Sequence, residues 1–318
     1  MNISHKINLI DETIPRVNKM LSACSLCGRA CGINRLEGQR GYCRAAAELR
    51  VASHTLHFGE EPPLVGRGGS GTVFFSHCNL RCVFCQNFQI SHGGMGTERT
   101  PDELAAMFLD LQSKGAENIN LVTPTHFMGP ILEALRIAYS NGLRLPIVYN
   151  TNGYDSVELL KCLEGIVDIY LPDMKYADPA ASEYCSSSKN YPEVAKLAIV
   201  EMYRQVGPLV VENGVARRGL IIRHLVLPNN LSGSYEFLIW AKDAGLIDAT
   251  IGIMSQYAPQ YQASHYPDLN RRITPREYNA IVDYAVKLGF ENILAQEMES
   301  QDLYVPDFNN EKPFEDKH

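Results

Sequence analysis

Short apolar runs alternate with amphipathic stretches from residue 71 onward, and this alternation sets the fold class. Six runs read as strands, over 71–76, 119–123, 147–150, 167–171, 220–227 and 250–255. Helical patterns fall between them over about 100–114, 128–141, 156–163, 192–206 and 233–244. One more helix follows Thr274-Pro275-Arg276-Glu277. Thr100-Pro101-Asp102-Glu103 joins a capping box to a proline at the first helical position, a helix-start signal. Strands separated by helices imply a parallel sheet with right-handed crossovers. The expected fold is therefore α/β, a partial (β/α)6 TIM-like barrel with a cysteine-rich N-terminal extension. Reacting groups in such folds gather at the C-terminal strand ends. The expected division is a metal-binding segment over 1–66, the barrel core over 67–300, and a polar, frayed tail over 301–318.

The first strand runs into His77-Cys78-Asn79-Leu80-Arg81-Cys82-Val83-Phe84-Cys85, a C-x3-C-x2-C loop. Three thiolates so close can converge on one metal centre but leave it one ligand short. A [4Fe-4S] cluster normally takes four cysteines. With three, one iron stays open and can bind a substrate. A disulfide reading fails, because the count of nine cysteines is odd and nothing marks secretion. Zinc would need a fourth ligand, for which His77 adjoins Cys78. The spacing fits iron–sulfur ligation better than a zinc ribbon.

A second constellation, Cys24, Cys27, Cys31 and Cys43, is spaced C-x2-C-x3-C-x11-C. Four thiolates complete a closed centre with no open position, an auxiliary [4Fe-4S] cluster or a zinc site. Such a centre folds its segment or carries electrons rather than breaking bonds. Cys162 and Cys185 stand alone and read as ordinary helix or loop residues.

Charge and hydropathy narrow the partners. A net charge of −7 argues against general nucleic-acid or membrane-surface binding. No apolar run is long enough to span a bilayer, and the first dozen residues lack a signal-peptide core. Seven cysteines within the first 85 residues, without export signals, point to metal ligation in a reducing compartment, and so to the cytoplasm.

The strand ends carry unusual polar residues. They include Thr123, Pro124 and His126 after the second strand, and Asn150-Thr151-Asn152-Gly153 after the third. Asp173 and Lys175 follow the fourth, His224 lies in the fifth, and Gln256-Tyr257 follow the sixth. Asp173 and Lys175 are two apart and share a face in extended backbone. An amino-acid zwitterion requires charge partners of both signs. Residues 256–270, with Tyr257, Tyr261 and Tyr266, either cover the open side of the barrel or form a surface loop.

Assembled, these residues resemble the radical S-adenosylmethionine (SAM) superfamily over about residues 20–300. More closely, they resemble the proteins described as pyruvate formate-lyase activating enzyme-like. The triad, Asn150-Thr151-Asn152-Gly153 and Asp173-Met174-Lys175 carry the superfamily likeness. Gly59-Glu60-Glu61-Pro62-Pro63 and the four N-terminal cysteines point to the activase-like branch.

The resemblance implies a [4Fe-4S] cluster on Cys78, Cys82 and Cys85, with SAM chelating the open iron. It implies reductive cleavage to a 5′-deoxyadenosyl radical, which abstracts hydrogen from a protein, a peptide or a small molecule. It also implies a flavodoxin- or ferredoxin-like electron donor, Phe84 beside adenine, and SAM contacts from Thr123, Pro124, Asn150, Asn152, Gly153, Asp173, Lys175 and His224. The chain departs from the family at three places. Thr123-Pro124-Thr125 replaces a Gly-Gly-Glu-Pro motif, Asn150 replaces an aspartate, and Gln256-Tyr257 replaces a histidine. A non-catalytic iron–sulfur or zinc protein is the reading from another class.

Overall fold

The computed structural model describes residues 3–300, 306–310 and 313–314. The elements before the cysteine loop are α1 (Ile3–Ser22), β1 (Arg50–His57), α2 (Pro62–Val65) and β2 (Ser70–Phe75). After it come α3 (Phe88–Ser91), β3 (Thr97–Glu98), α4 (Pro101–Ser113), β4 (Ile119–Val122), α5 (Met128–Ser140) and β5 (Ile147–Thr151). The next are α6 (Val157–Cys162), β6 (Ile169–Pro172), α7 (Pro179–Ser186), α8 (Tyr191–Val206), β7 (Val210–Glu212) and β8 (Val215–Leu225). Last are α9 (Ser234–Asp243), β9 (Thr250–Met254), α10 (Pro275–Leu288) and β10 (Ile293–Ala295).

The six expected strands are β2, β4, β5, β6, β8 and β9, paired in parallel. β10 adds a seventh parallel strand, and β1 and β3 extend the other edge antiparallel. The order β10-β9-β8-β6-β5-β4-β2-β1-β3 makes an open, barrel-like sheet. β2, β5, β6 and β9 are buried along their whole length, as parallel strands covered on both faces must be. Outside, helices pack the main core. Inside, Leu64 from α2 meets Val148, Ile169, Leu171, Ala216 and Ile221 and fills the lower end of the sheet's concavity. The expected capping box forms at Thr100/Glu103, and a second one forms at Thr274/Glu277.

The sequence hides α1, β1, α7 and β10. α1 buries Ile10, Val17 and Leu21 in the main core, and its buried Lys6 pairs with Asp168 at 2.5 Å. β1 lies within residues 1–66 but pairs with β2 of the core sheet. In the tail, Phe308 is buried and packs edge-on against Phe74, and Phe314 sits 5.3 Å from Phe74. These aromatic residues dock the described part of a tail that its polar composition marks as frayed. Residues 301–305, 311–312 and 315–318 of that tail lie outside the described residues.

Candidate active site

One cavity, of about 1090 Å³ including its open mouth, collects the C-terminal strand ends. Its wall includes Cys82, Phe84 and Cys85 from the cysteine loop and Val122, Asn150, Asp173, Lys175, Arg223 and Met254 from the strands. A further wall comes from His57 at the end of β1 and Glu60 and Glu61 in the loop after it.

Each thiol of the triad has a neutral hydrogen-bonding side chain beside it. Asn152 Nδ2 donates to Cys78 Sγ at 3.3 Å, Ser186 Oγ lies 3.0 Å from Cys82 Sγ, and Ser91 Oγ lies 3.2 Å from Cys85 Sγ. Donors of this kind stabilise sulfur that carries charge. Without a metal, burial pushes the Cys78 thiol up to about 11 and the Cys85 thiol up to about 12. Among the described residues, no three Cys, His, Asp or Glu side chains close on one metal ion. A cluster spreads its thiolates over separate irons, so three cysteines with flanking donors, two of them opening on a cavity, fit it.

Opposite the thiols lies a nearly buried ionic network. Asp173 receives Lys175 Nζ at 2.6 Å and Arg223 Nε at 2.9 Å. Arg223 Nη2 also donates to Asn150 Oδ1 at 2.6 Å, and Nη1 faces Glu60 at 3.5 Å. Burial opposes ionisation of Asp173, but Arg223 and Lys175 outweigh it and hold the carboxyl below its ordinary value. Lys175 stays above its own for the reciprocal reason, with Asp173 outweighing burial.

The expected residues separate into two groups. Cys82, Phe84, Cys85, Asn150, Asp173 and Lys175 line the cavity; Thr123, Pro124, Asn152, Gly153 and His224 do not. Asn152 instead braces the cysteine loop, donating to Cys78 and, at 2.6 Å, to Asn79 Oδ1. Gly153, at φ 80°, lets the β5 loop touch β6, because a Cβ there would strike the Asp173 carbonyl oxygen. Thr123 turns the chain at φ 58°, leaving Val122 as the β4 wall. His224 is a correction, since β8 alternates and presents Arg223 and Leu225 to the cavity. Its ring instead lies 2.6 Å from the Met174 carbonyl oxygen and 2.8 Å from Ser234 Oγ, and stacks on Phe237. Sequence reasoning missed Glu60 and Glu61 as wall residues, and placed Arg223 near the rim without a role. The adjacent acids before Pro62-Pro63 were the available signal.

Residues 256–270 pack on the cysteine loop. Gln262 N donates to the Val83 carbonyl at 2.9 Å, and Tyr257 meets Phe84 edge to face at 5.5 Å.

The four N-terminal cysteines gather beside the same loop. Cys24 and Cys43 are buried, Cys27 is half-buried and Cys31 is exposed. Burial pushes the Cys27 thiol up to about 12. Arg35 is almost fully buried, with Nη1 4.0 Å from Cys24 Sγ and its Nε unpartnered. No carboxylate among the described residues pairs with this guanidinium. A thiolate-bound metal centre would supply the missing negative charge.

Glu61 yields a pH prediction. Burial raises its carboxyl from the ordinary 4.5 to about 8; Arg223 pulls down and Glu60 pushes up. Between those two values the folded chain holds a proton that the unfolded chain has released, so stability falls as pH rises. Glu61→Gln should remove that slope. Thermal melts of both proteins should diverge from about pH 4.5 to about pH 8, with the variant the more stable at the upper end. Parallel pH curves would contradict this.

A model of the radical SAM superfamily matches residues 72–215, from β2 to the start of β8. An uncharacterized protein of Methanocaldococcus jannaschii is 33% identical over 299 residues, 91% of this chain and 81% of that protein. The fold is similar to that of a radical SAM methyltransferase from Sphaerobacter thermophilus, with a TM-score of 0.51 at 15% identity. That match covers 71% of this chain and 66% of the methyltransferase. HydG, a maturase of the [FeFe]-hydrogenase, matches with a TM-score of 0.50 at 12% identity, over 69% of this chain and 48% of HydG. At such identities the structural likeness is one of fold. The cysteine loop lies inside the matched region, at the end of its first strand and facing the cavity, and the chain belongs to the radical SAM superfamily, which implies a [4Fe-4S] cluster and SAM as its cofactors.

Proposed function

We propose that this radical SAM enzyme abstracts hydrogen from a protein or peptide, in the manner of an activating enzyme. The observation that carries the reading is the meeting, in one open cavity, of two triad thiols with the Asp173–Lys175–Arg223 network. When bound, the cluster and SAM supply reductive C–S cleavage to a 5′-deoxyadenosyl radical. Cys78, Cys82 and Cys85 would hold the cluster. Asp173 and Lys175 offer charges of both signs to the methionyl zwitterion of SAM, and Phe84 offers a flat apolar face to its adenine. An open sheet supports a polypeptide substrate, because a loop can enter its mouth. Mass analysis of a partner protein after turnover tests this; turnover of a small molecule with no partner modified would reject it.

The N-terminal cysteines are read as an auxiliary metal centre. Asn79 supports a relay role: it accepts from Asn152, which touches Cys78, and its carbonyl accepts from Arg29 of the four-cysteine segment at 3.0 Å. Electrons would come from a flavodoxin- or ferredoxin-like donor. Iron and zinc content after anaerobic preparation is the deciding measurement. About eight irons per chain are expected for two clusters of four. About four irons with one zinc would make the N-terminal centre structural. No iron after reconstitution would overturn the central reading.

A further inference from the structure

The cavity has two halves of different chemistry. The charged network sits at the ends of β5, β6 and β8. The other half is lined by Gln86 and Asn87 after the cysteine triad, Gln256 after β9 and Gln296 after β10. None of these four side chains carries charge. Three of them lean on one another: Gln86 Nε2 donates to the Gln256 carbonyl at 3.1 Å, and Gln296 Nε2 lies 3.5 Å from Gln256 Oε1. Much of their capacity stays open. Gln256 Nε2 meets the Met254 sulfur, a weak acceptor, at 3.7 Å, and the Asn87 side chain makes no cap bond to α3. A wall of uncharged donors and acceptors suits a ligand that presents both, as the peptide group does.

This half adjoins the edge of the sheet. β10 pairs with β9 alone, and that ladder uses Asn292 O and Gln296 N. Alternation along the strand turns the N–H and C=O of Ile293 and Ala295 the other way, where no partner stands among the described residues. Ile293-Leu294-Ala295 carries no charge and no proline, the usual guards of an open edge, and Ala295 is exposed. The opposite edge strand, β3, ends in Glu98, which faces Arg50 at 3.6 Å. Side chains alternate as well. Leu294 packs on the inner cluster, and Gln296, two residues on, joins the cavity wall. An unpaired edge therefore runs directly into the amide wall. We propose that the substrate is an extended polypeptide segment that adds to β10 as a further strand and lays its next main-chain amides along Gln296 and Gln256. The inference rests on the reading of this cavity as one that acts on a protein or peptide. Main-chain bonds to Ile293 and Ala295 give affinity with little regard to sequence. The amide wall then satisfies peptide groups drawn out of water.

The test uses reconstituted full-length protein, as wild type, Ala295→Pro and Gln256→Leu. The probe is a capped peptide with three Thr-Val pairs between terminal lysines, chosen for its strand propensity. Two further peptides carry N-methyl groups on the threonines or on the valines, so that each blocks one edge. Wild type should bind the parent, and one methylated peptide should lose about tenfold or more while the other keeps its affinity, because an added strand turns a single row of amides to the sheet. Ala295→Pro removes an outward N–H that takes no part in the bonds to β9, and should weaken the parent about tenfold. Gln256→Leu should weaken it by a similar factor, through a peptide group left unpartnered. No binding by wild type, the same affinity for both methylated peptides, or undiminished affinity in both variants overturns the proposal. Should the variants fail to fold, the pair of methylated peptides decides on wild type alone. SAM binding is measured on the same samples. Wild type that binds SAM but not the peptide loses this inference alone; wild type that binds the peptide by one edge but not SAM loses the proposed function and keeps the β10 docking site.

Discussion

Cys78→Ala should abolish cluster assembly and SAM cleavage while leaving the fold nearly unchanged. The thiol is half-buried, and its near partners are the Leu80 amide at 3.4 Å and Asn152 Nδ2 at 3.3 Å. Asn152 keeps its shorter bond to Asn79 after the substitution, so no buried donor is orphaned. The cost in stability should stay within about 1 kcal/mol. Function should respond quite differently, since two thiolates cannot hold a cluster that already makes do with three. Iron content, visible absorbance and 5′-deoxyadenosine yield read the loss, and a thermal melt reads the fold. Retained SAM cleavage would refute the assignment. Cys162→Ala, in α6, is the control and should keep full iron.

Arg223→Met should produce the largest loss of stability. The guanidinium is the hub of the cavity network, touching Asp173, Asn150 and Glu60. Methionine fills similar space but leaves the carboxylates facing one another with only Lys175 to offset them. Removing one partner of a buried ion pair costs about 3–5 kcal/mol. Chemical denaturation should show that fall. Adding Glu60→Gln should recover part of it by removing a stranded charge. SAM affinity should weaken in the single variant, because Asp173 loses the group that orients it. A loss below about 1 kcal/mol would mean that the network is a solvated set of charges rather than a buried one.

The parallel sheet was legible because its signals are local. Apolar runs, capping boxes and proline starts each fall within a few residues, and the strands and helices they mark are present. α1 escaped notice because its amphipathic pattern carries Pro15 in mid-helix and no acidic first turn. β1, Arg-Val-Ala-Ser-His-Thr-Leu-His, alternates poorly and is half-buried over most of its length. The site was legible wherever spacing alone placed a residue, as with the triad and the Asp173/Lys175 pair. It failed where one residue of register decides. Arg223 and His224 are adjacent, so one faces the cavity and the other the helices, and no local pattern says which. Glu60 and Glu61 failed for a further reason. They come from the loop between β1 and α2, and meet the β5, β6 and β8 residues of the site only in the folded chain.

Asp307 and Phe308 of the tail give the cysteine loop a tether. Gln89, in the short helix that follows Cys85, donates to Asp307 at 2.8 Å and accepts from the Phe308 amide at 2.8 Å. Ser91 of that helix touches Cys85 itself. The loop that carries the cysteine triad and a segment more than two hundred residues later therefore share one clasp. Order at 306–310 should thus report on the cysteine loop, like a strain gauge wired to a distant beam, and changes made there should be felt at Cys85.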